Sequence, residues 1–233
     1  MRTACILAAG RGTRLGAAGR ERPKGFIELG GVPIIKRSLE RLRRAGVSRV
    51  VIVTGHLAPW YDGLGVQLAH NPDYAECGSL RSLACARHLL DDDFLLLESD
   101  LVYEQRALDA VLAAPPGDVV LTSGPTGAGD EVWVETRNGR LVAMSKDPTH
   151  LGPGPHGELV GISRISQALY RALLDVDADD PHLSYETDGL VGCASRFSIS
   201  CPQVADLAWG EIDDEHHLAR ARRIHDEIVR KNA

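Results

Sequence analysis

Apolar runs alternate with amphipathic stretches through the first hundred residues. Thr3 to Ala8 is a short apolar run that ends in small residues and a Gly-rich turn, the pattern of a buried strand. From Pro33 to Gly46 the apolar positions Ile34, Ile35, Leu39, Leu42 and Ala45 recur at helical spacing. Pro33 suits the first turn of that helix and Gly46 its C-terminal cap. Arg49 to Thr54 reads as a second buried strand, residues 66–70 as a short strand, residues 79–90 as a helix, and Phe94 to Leu97 as an apolar strand opening into Glu98-Ser99-Asp100. Strands and helices in this alternation predict a parallel sheet with helices on its faces.

The second half changes character. Asp118 to Thr122 is strand-like, and Val132 to Glu135 with Leu141 to Met144 flank Asn138-Gly139, a strong hairpin signal. Asp147 to Gly157 holds three Pro and three Gly and predicts a loop over the open face of the sheet. A strand over 158–163, a helix over 166–175 and a long amphipathic helix from about Asp214 to Lys231 complete the chain. The expected fold is α/β: a Rossmann-like, doubly wound, mostly parallel sheet with a small antiparallel insertion. Residues 1–233 are expected to form one domain, with an acceptor-binding or lid insertion at about 125–160.

Composition narrows the function classes. The 233 residues are 44% hydrophobic and 25% charged, an ordinary globular balance. A formal charge of −6 leaves no excess of Lys and Arg to hold a polyanionic backbone, so nucleic acid is not an expected partner. No run is long and apolar enough to span a membrane, and Met1 to Gly10 does not read as a signal peptide. Five widely spaced cysteines without a CxxC pair indicate neither a disulfide framework nor a zinc site, and the cytoplasm is the expected compartment. None of the nine histidines stands in an HxH or HxxxH arrangement. The oligomeric state stays open, a homodimer included.

The most informative segment is Leu7-Ala8-Ala9-Gly10-Arg11-Gly12-Thr13-Arg14-Leu15, followed by Pro23-Lys24. Gly10 and Gly12, directly after a strand, let backbone N–H groups approach phosphate oxygens, and Arg11, Arg14 and Lys24 supply positive charge. A dinucleotide fingerprint would need glycine at Leu15, and the P-loop pattern is absent. This segment resembles the LxxGxGxRL signature with its following PK pair in the nucleotidyltransferase superfamily that includes nucleoside-diphosphate-sugar pyrophosphorylases. The resemblance implies the nucleotide-diphospho-sugar transferase-like fold. It also implies nucleotide contacts from Leu7 to Arg14 and from Lys24, with Arg14 and Lys24 acting in catalysis.

Transfer at an α-phosphorus needs a divalent cation, here expected to be Mg²⁺, and hard cations take carboxylates. Asp100 stands past the apolar strand at the carboxyl end of the sheet, where open α/β folds bind ligands. Glu98 is an alternative strand-end ligand. Trp209-Gly210-Glu211-Ile212-Asp213-Asp214-Glu215 resembles the W-x-E-I-D block of the choline-phosphate branch, which makes Asp213 the second metal candidate and leaves Asp214 as helix cap.

Further blocks resemble the cytidylyltransferases that activate phosphocholine or 2-aminoethylphosphonate. Asn71-Pro72-Asp73-Tyr74 with Gly78-Ser79-Leu80 looks like their N-x-x-Y…S-L element beside the base, making Asn71, Gly78, Ser79 and, past the strand, Ser99 nucleotide candidates. The usual asparagine of that element is replaced by Cys77 or Gly78. Segments around Trp133, Lys146 and Glu158 are closest to the aminoethylphosphonate branch. Lys146 is expected near the acceptor's phosphonate or the α-phosphate. An ammonium leaving water must be paired or placed over an aromatic face, and Trp133, Glu158, Tyr185, Glu186 and Asp188 are the acceptor candidates. The implied reaction takes CTP and 2-aminoethylphosphonate to a CMP-phosphonate and pyrophosphate. Phosphocholine and sugar 1-phosphates remain alternative acceptors, and a non-catalytic nucleotide sensor is the alternative outside enzymes.

Overall fold

The computed structural model describes residues 1–154, 156–179 and 185–231. In chain order the elements are β1 (Thr3–Ala8), α1 (Ala17–Glu21), β2 (Glu28–Leu29), β3 (Val32–Pro33), α2 (Ile34–Arg44), β4 (Arg49–Thr54), β5 (Gln67–His70), α3 (Ser79–Cys85) and β6 (Phe94–Glu98). There follow β7 (Leu101–Tyr103), α4 (Arg106–Ala113), β8 (Val119–Ser123), β9 (Trp133–Arg137), β10 (Arg140–Ser145) and β11 (Gly157–Ile165). The chain closes with α5 (Gln167–Asp179), α6 (Glu186–Cys193), β12 (Gln203–Val204), β13 (Trp209–Glu211) and α7 (Glu215–Lys231).

The main sheet runs β10-β9-β11-β6-β1-β4-β5, with β8 paired to β11 and β12. β1 lies at its centre, parallel to both β4 and β6, with Leu7 opposite Val53 on one side and Glu98 on the other. Every residue of β1 is buried, and successive residues feed opposite cores. Cys5 and Leu7 join Phe94 and Leu96 in a core completed by α3, α5 and α6. Ala4 and Ile6 join Leu95 and Leu97 in a second core that takes Ile35 and Leu42 of α2 and Leu108 and Val111 of α4. Burial on both faces explains why these strands read as continuous apolar runs. Each buried Leu, Ile, Val or Phe among them contributes about 1.5–3 kcal/mol of burial free energy.

Local chemistry sets the boundaries. Gly46, at φ 82°, ends α2 in a Schellman arrangement, its N–H bonding Arg43 O while Val47 N bonds Leu42 O, both at 3.0 Å. Asn138 and Gly139, at φ 53° and 71°, make the two-residue turn between β9 and β10 that their sequence predicts. The hairpin is antiparallel, and β9 also pairs with β11, so it extends the main sheet. Asp214 caps α7, accepting from His217 N at 2.8 Å.

Several expectations shift. The helix expected over 79–90 ends at Cys85, the strand at 158–163 grows to Gly157–Ile165, and the helix at 166–175 runs to Asp179. The loop at 147–157 contains Pro155, which lies outside the described residues. Sequence reading missed α4, α6 and the short strands β7 and β13. These two strands pair antiparallel as a separate ladder, Glu211 opposite Leu101 and Trp209 opposite Tyr103. The ladder is continued by Ile212 N to Asp100 O at 3.1 Å and Glu104 N to Ala208 O at 3.0 Å. All five cysteines are free thiols, and among the described residues no helix is long and apolar enough to cross a membrane.

Candidate active site

A cavity of about 980 Å³ opens at the carboxyl ends of β1 and β6, the position a parallel α/β sheet reserves for ligands. One wall is the loop after β1. Gly12 takes a left-handed conformation, φ 58°, and its bare Cα leaves room for Lys24, whose Cγ would stand 3.3 Å from a Cβ there. The turn Thr13–Leu15 follows, and buried Leu15 pins it into a third core with Ile27, Leu29 and Ile212. Apolar packing thus fixes the root of the loop, while Arg11, Thr13 and Arg14 stay exposed.

The ladder of β7 and β13 builds the opposite wall. It places Asp100, one residue before β7, beside Asp213, which follows β13. Both aim at Lys24: its Nζ donates to Asp100 Oδ2 at 2.7 Å and also to Asp213 Oδ1. Arg14 Nη2 lies 2.8 Å from Asp213 Oδ2, and its Nη1 lies 3.7 Å from Asp130 Oδ2. Asp130 in turn faces buried His217, Nε2 to Oδ1, at 3.3 Å.

These contacts set the ionisation of the site. Burial pulls the Lys24 ammonium down, but Asp100 and Asp213 together more than reverse this and leave it above its ordinary value. Burial raises Asp213, which Lys24, Arg14 and His217 more than offset, so its carboxylate titrates below the usual range. Glu211 is pushed up to about 8, first by burial and then by Asp100, Asp213 and Asp130. Glu98 lies well above the usual range, again through burial first, with Glu186, Asp100 and Glu211 adding to it.

Of the residues singled out from sequence, all but two border this cavity. Asn71 is fully buried behind it, its side chain bonded to Ser82 Oγ at 2.9 Å, Cys77 Sγ at 3.2 Å and Asp73 N at 3.0 Å. It latches the segment after β5 to α3. Trp133 lies in β9 opposite Glu158 and outside the lining, so its place is in the sheet. Two acceptor candidates also carry local duties. Asp188 accepts from Tyr185 N at 3.2 Å within the capping box of α6, and Glu158 takes Thr126 N at 2.7 Å and Thr126 Oγ1 at 2.8 Å.

Sequence reading missed Asp130, Glu131 and Glu211 in the lining, and left Glu98 only as an alternative ligand. The signal for Glu211 was its position two residues before Asp213 in the same block. Asp130 gave none, because its partners Arg14 and His217 come from the two ends of the chain.

A glycine-containing loop after β1, a lysine and paired carboxylates at the carboxyl edge of an α/β sheet are the arrangement of a nucleotide-handling enzyme class. The family model described as MobA-like NTP transferase domain matches residues 4–180, and the chain belongs to that family of nucleotidyltransferases. It is 34% identical to the CMP-5'-(3-aminopropyl)phosphonate synthase of Streptomyces rubellomurinus, over 91% of this chain and 37% of that protein. It is 33% identical to the 2-aminoethylphosphonate cytidylyltransferase of Lancefieldella rimae, over 42% of this chain and 43% of that one. The match thus covers less than half the length of either relative. The inositol-1-phosphate CTP transferase of T. maritima has the same fold, with a TM-score of 0.82 at 19% identity over 98% of this chain and 96% of that one.

Proposed function

We propose that this chain is a Mg²⁺-dependent cytidylyltransferase that moves CMP from CTP to an aminoalkylphosphonate, 2-aminoethylphosphonate foremost, and releases pyrophosphate. The observation that carries the reading is the meeting of Lys24, Asp100 and Asp213 beside the glycine loop. Two carboxylates from distant segments converge on one cationic position, the donor set a hard divalent ion requires. Asp100 and Asp213 would hold the ion. Bound there, it would supply charge neutralisation of the triphosphate and polarisation of the α-phosphoryl group. The names of the two relatives support the nucleotide and the acceptor class.

The chain's own residues do the positioning. Backbone N–H groups from Gly10 to Thr13, with Arg11 and Arg14, bind the triphosphate, Arg14 exchanging Asp213 for phosphate oxygens. Gly78 and Ser79 face the base, and Lys146 draws the acceptor's phosphonate toward the α-phosphate. A phosphonate oxygen is already anionic near neutral pH, so no general base is required. It attacks the α-phosphorus in line, a new P–O bond forms, and the bond to the bridging oxygen breaks with its electron pair leaving on pyrophosphate. Lys24 offsets the charge that develops there.

The test is a pyrophosphate-release assay that crosses CTP, UTP, GTP and ATP with 2-aminoethylphosphonate, 3-aminopropylphosphonate, phosphocholine and a sugar 1-phosphate, with and without a chelator. The expected result is release with CTP and an aminoalkylphosphonate, abolished by the chelator and restored by Mg²⁺. Release only with a sugar 1-phosphate, or release that survives chelation, contradicts the proposal.

A further inference from the structure

The carboxylates that border the cavity differ in what they have for company. Asp100 and Asp213 share Lys24, and Asp130 and Asp213 share Arg14. Glu158 receives an N–H and an O–H from Thr126, and Asp188 receives an N–H from Tyr185. Glu211 lies within the field of the Lys24 ammonium. Glu131 receives the Gly129 N–H at 3.2 Å. Glu98 and Glu186 instead face one another, and among the described residues neither has a salt bridge to a basic side chain.

Their placement follows from the fold. Glu98 ends β6 on the face that also carries Phe94 and Leu96, the face packed by α3, α5 and α6. Glu186 is the first residue of α6 and Ser79 the first of α3, so both helix starts meet the end of β6 on that side. Glu186 is only 7% exposed yet borders the cavity. Its Oε2 takes the Ser79 hydroxyl and its own N–H bonds Ser79 Oγ at 3.1 Å, which fixes the carboxylate in place. The Glu98 carboxyl lies beside it. Gly161, at φ 74°, stands beside Glu98, where even a Cβ would come within 3.4 Å of the carboxyl carbon.

Two carboxyl groups that crowd one another at the cavity wall with no cation between them carry a free-energy cost that a charged donor from a ligand relieves. The same cavity has its phosphate-binding cations at the other wall, so a ligand with an anionic head and a cationic tail matches both. We infer that Glu98 and Glu186 form the seat for the acceptor's primary ammonium group and are the residues that select amine-bearing acceptors. This rests on the aminoalkylphosphonate reading above and goes beyond it by naming the seat and by adding Glu98 to it. A primary ammonium has three N–H donors to divide between two carboxyls, whereas a trimethylammonium has none. The seat therefore favours a primary amine over choline.

The experiment compares each ω-aminoalkylphosphonate with the alkylphosphonate of equal length, by pyrophosphate release with CTP, in the wild type and in Glu98→Gln and Glu186→Gln. The wild type is expected to favour the amine by about 100-fold or more in kcat/KM. Each variant should lose most of that preference through a higher KM for the amine, read as the ratio of kcat/KM for the amine to that for the plain alkylphosphonate within the same protein. Thermal unfolding of the variants verifies folding, and the selectivity ratio is internal to each protein, so a general structural loss does not move it. Equal efficiency toward both members of a pair in the wild type, or an unchanged ratio in both variants, overturns the seat and leaves the cytidylyltransferase reading standing. Absence of CMP transfer to any amine-bearing acceptor by the wild type overturns both.

Discussion

The two walls of the cavity are built in opposite ways. The nucleotide-facing wall comes from one short stretch, Gly10 to Lys24, whose shape follows from left-handed glycines, a pinned leucine and a proline before the lysine. The far wall draws Glu98, Lys146, Glu158 and Glu186 from separate strands and helices, and only the folded sheet brings them together. On the proposed reading the first wall binds a polyphosphate, for which local backbone geometry suffices. On the same reading the second wall meets the acceptor, and its side chains are those a change of substrate would alter. Between them lies the ladder of β7 and β13, which delivers the two carboxylates that both walls use.

The sharpest way to break this arrangement is at the shared centre. Asp100→Asn or Asp213→Asn is expected to lower kcat by about a thousandfold or more, because a charge-stabilising group at the reacting phosphoryl is lost. The melting temperature should change little, since each substitution also relieves repulsion on Glu211. Pyrophosphate release and thermal unfolding on the same samples check both halves, and full turnover at saturating Mg²⁺ would remove the metal assignment.

A smaller effect separates the glycines of the first wall. A Cβ on Gly19 would stand 2.0 Å from Gly12 O, a backbone atom that must move, whereas one on Gly10 meets nothing within 4 Å. Gly19→Ala is therefore expected to shift the loop and reduce kcat/KM for CTP by about 100-fold, the scale of an ångström misplacement. Gly10→Ala should cost less than a tenth as much unless the nucleotide itself needs that space. Steady-state kinetics with varied CTP distinguish the two.

Legibility in the sequence followed the same division. β1, α2, β4, β6 and the hairpin turn at Asn138-Gly139 were readable because period, cap and turn chemistry are local. The glycine loop and Lys24 were readable for the same reason, and Asp100 and Asp213 through motifs at the ends of strands. The β7 and β13 ladder was not, because three-residue strands have too few positions to show a period and their pairing joins distant segments. α6 hid behind its interior Gly189 and Gly192, which weaken any helical pattern. Buried Ala107, Leu108 and Val111 of α4 did carry helical spacing that went unread. Asn71 shows the limit most plainly: sequence placed it beside the base, but the folded chain buries its side chain fully behind the cavity with three internal partners.

That contrast gives the next test. Asn71→Ala is expected to destabilise the protein by about 2 kcal/mol, the cost of leaving Ser82 and Asp73 N without a buried partner. KM for CTP should stay within about threefold. Chemical denaturation and CTP titration check the pair of values, and the reverse result, a large KM change at constant stability, would return Asn71 to the nucleotide site.

The smallest expected effect concerns the ladder that joins the walls. Glu104 closes its end: Ala208 N donates to Glu104 Oε1 at 2.9 Å, and Arg106 Nη2 lies 2.7 Å from the same oxygen. Burial pushes the Glu104 carboxyl up, but Arg106 and the Ala208 N–H more than offset it, so its pKa falls below the ordinary 4.5. A carboxylate lowered on folding contributes stability that is fully present above its unfolded value and is lost as pH falls through the folded one. Arg106 is about half exposed, with 46% of its side chain accessible, and solvent screens the pair, so the contribution is about 1 kcal/mol. Glu104→Gln should cost that much at pH 7 and progressively less as pH falls from 4.5 through the lower folded value, where the wild-type carboxylate itself becomes protonated. Denaturant unfolding of both proteins from pH 7 to pH 3 measures it. If the difference persists undiminished into acid, Glu104 holds the ladder through shape and neutral hydrogen bonds, and the Arg106 charge contributes nothing to bringing Asp100 and Asp213 together.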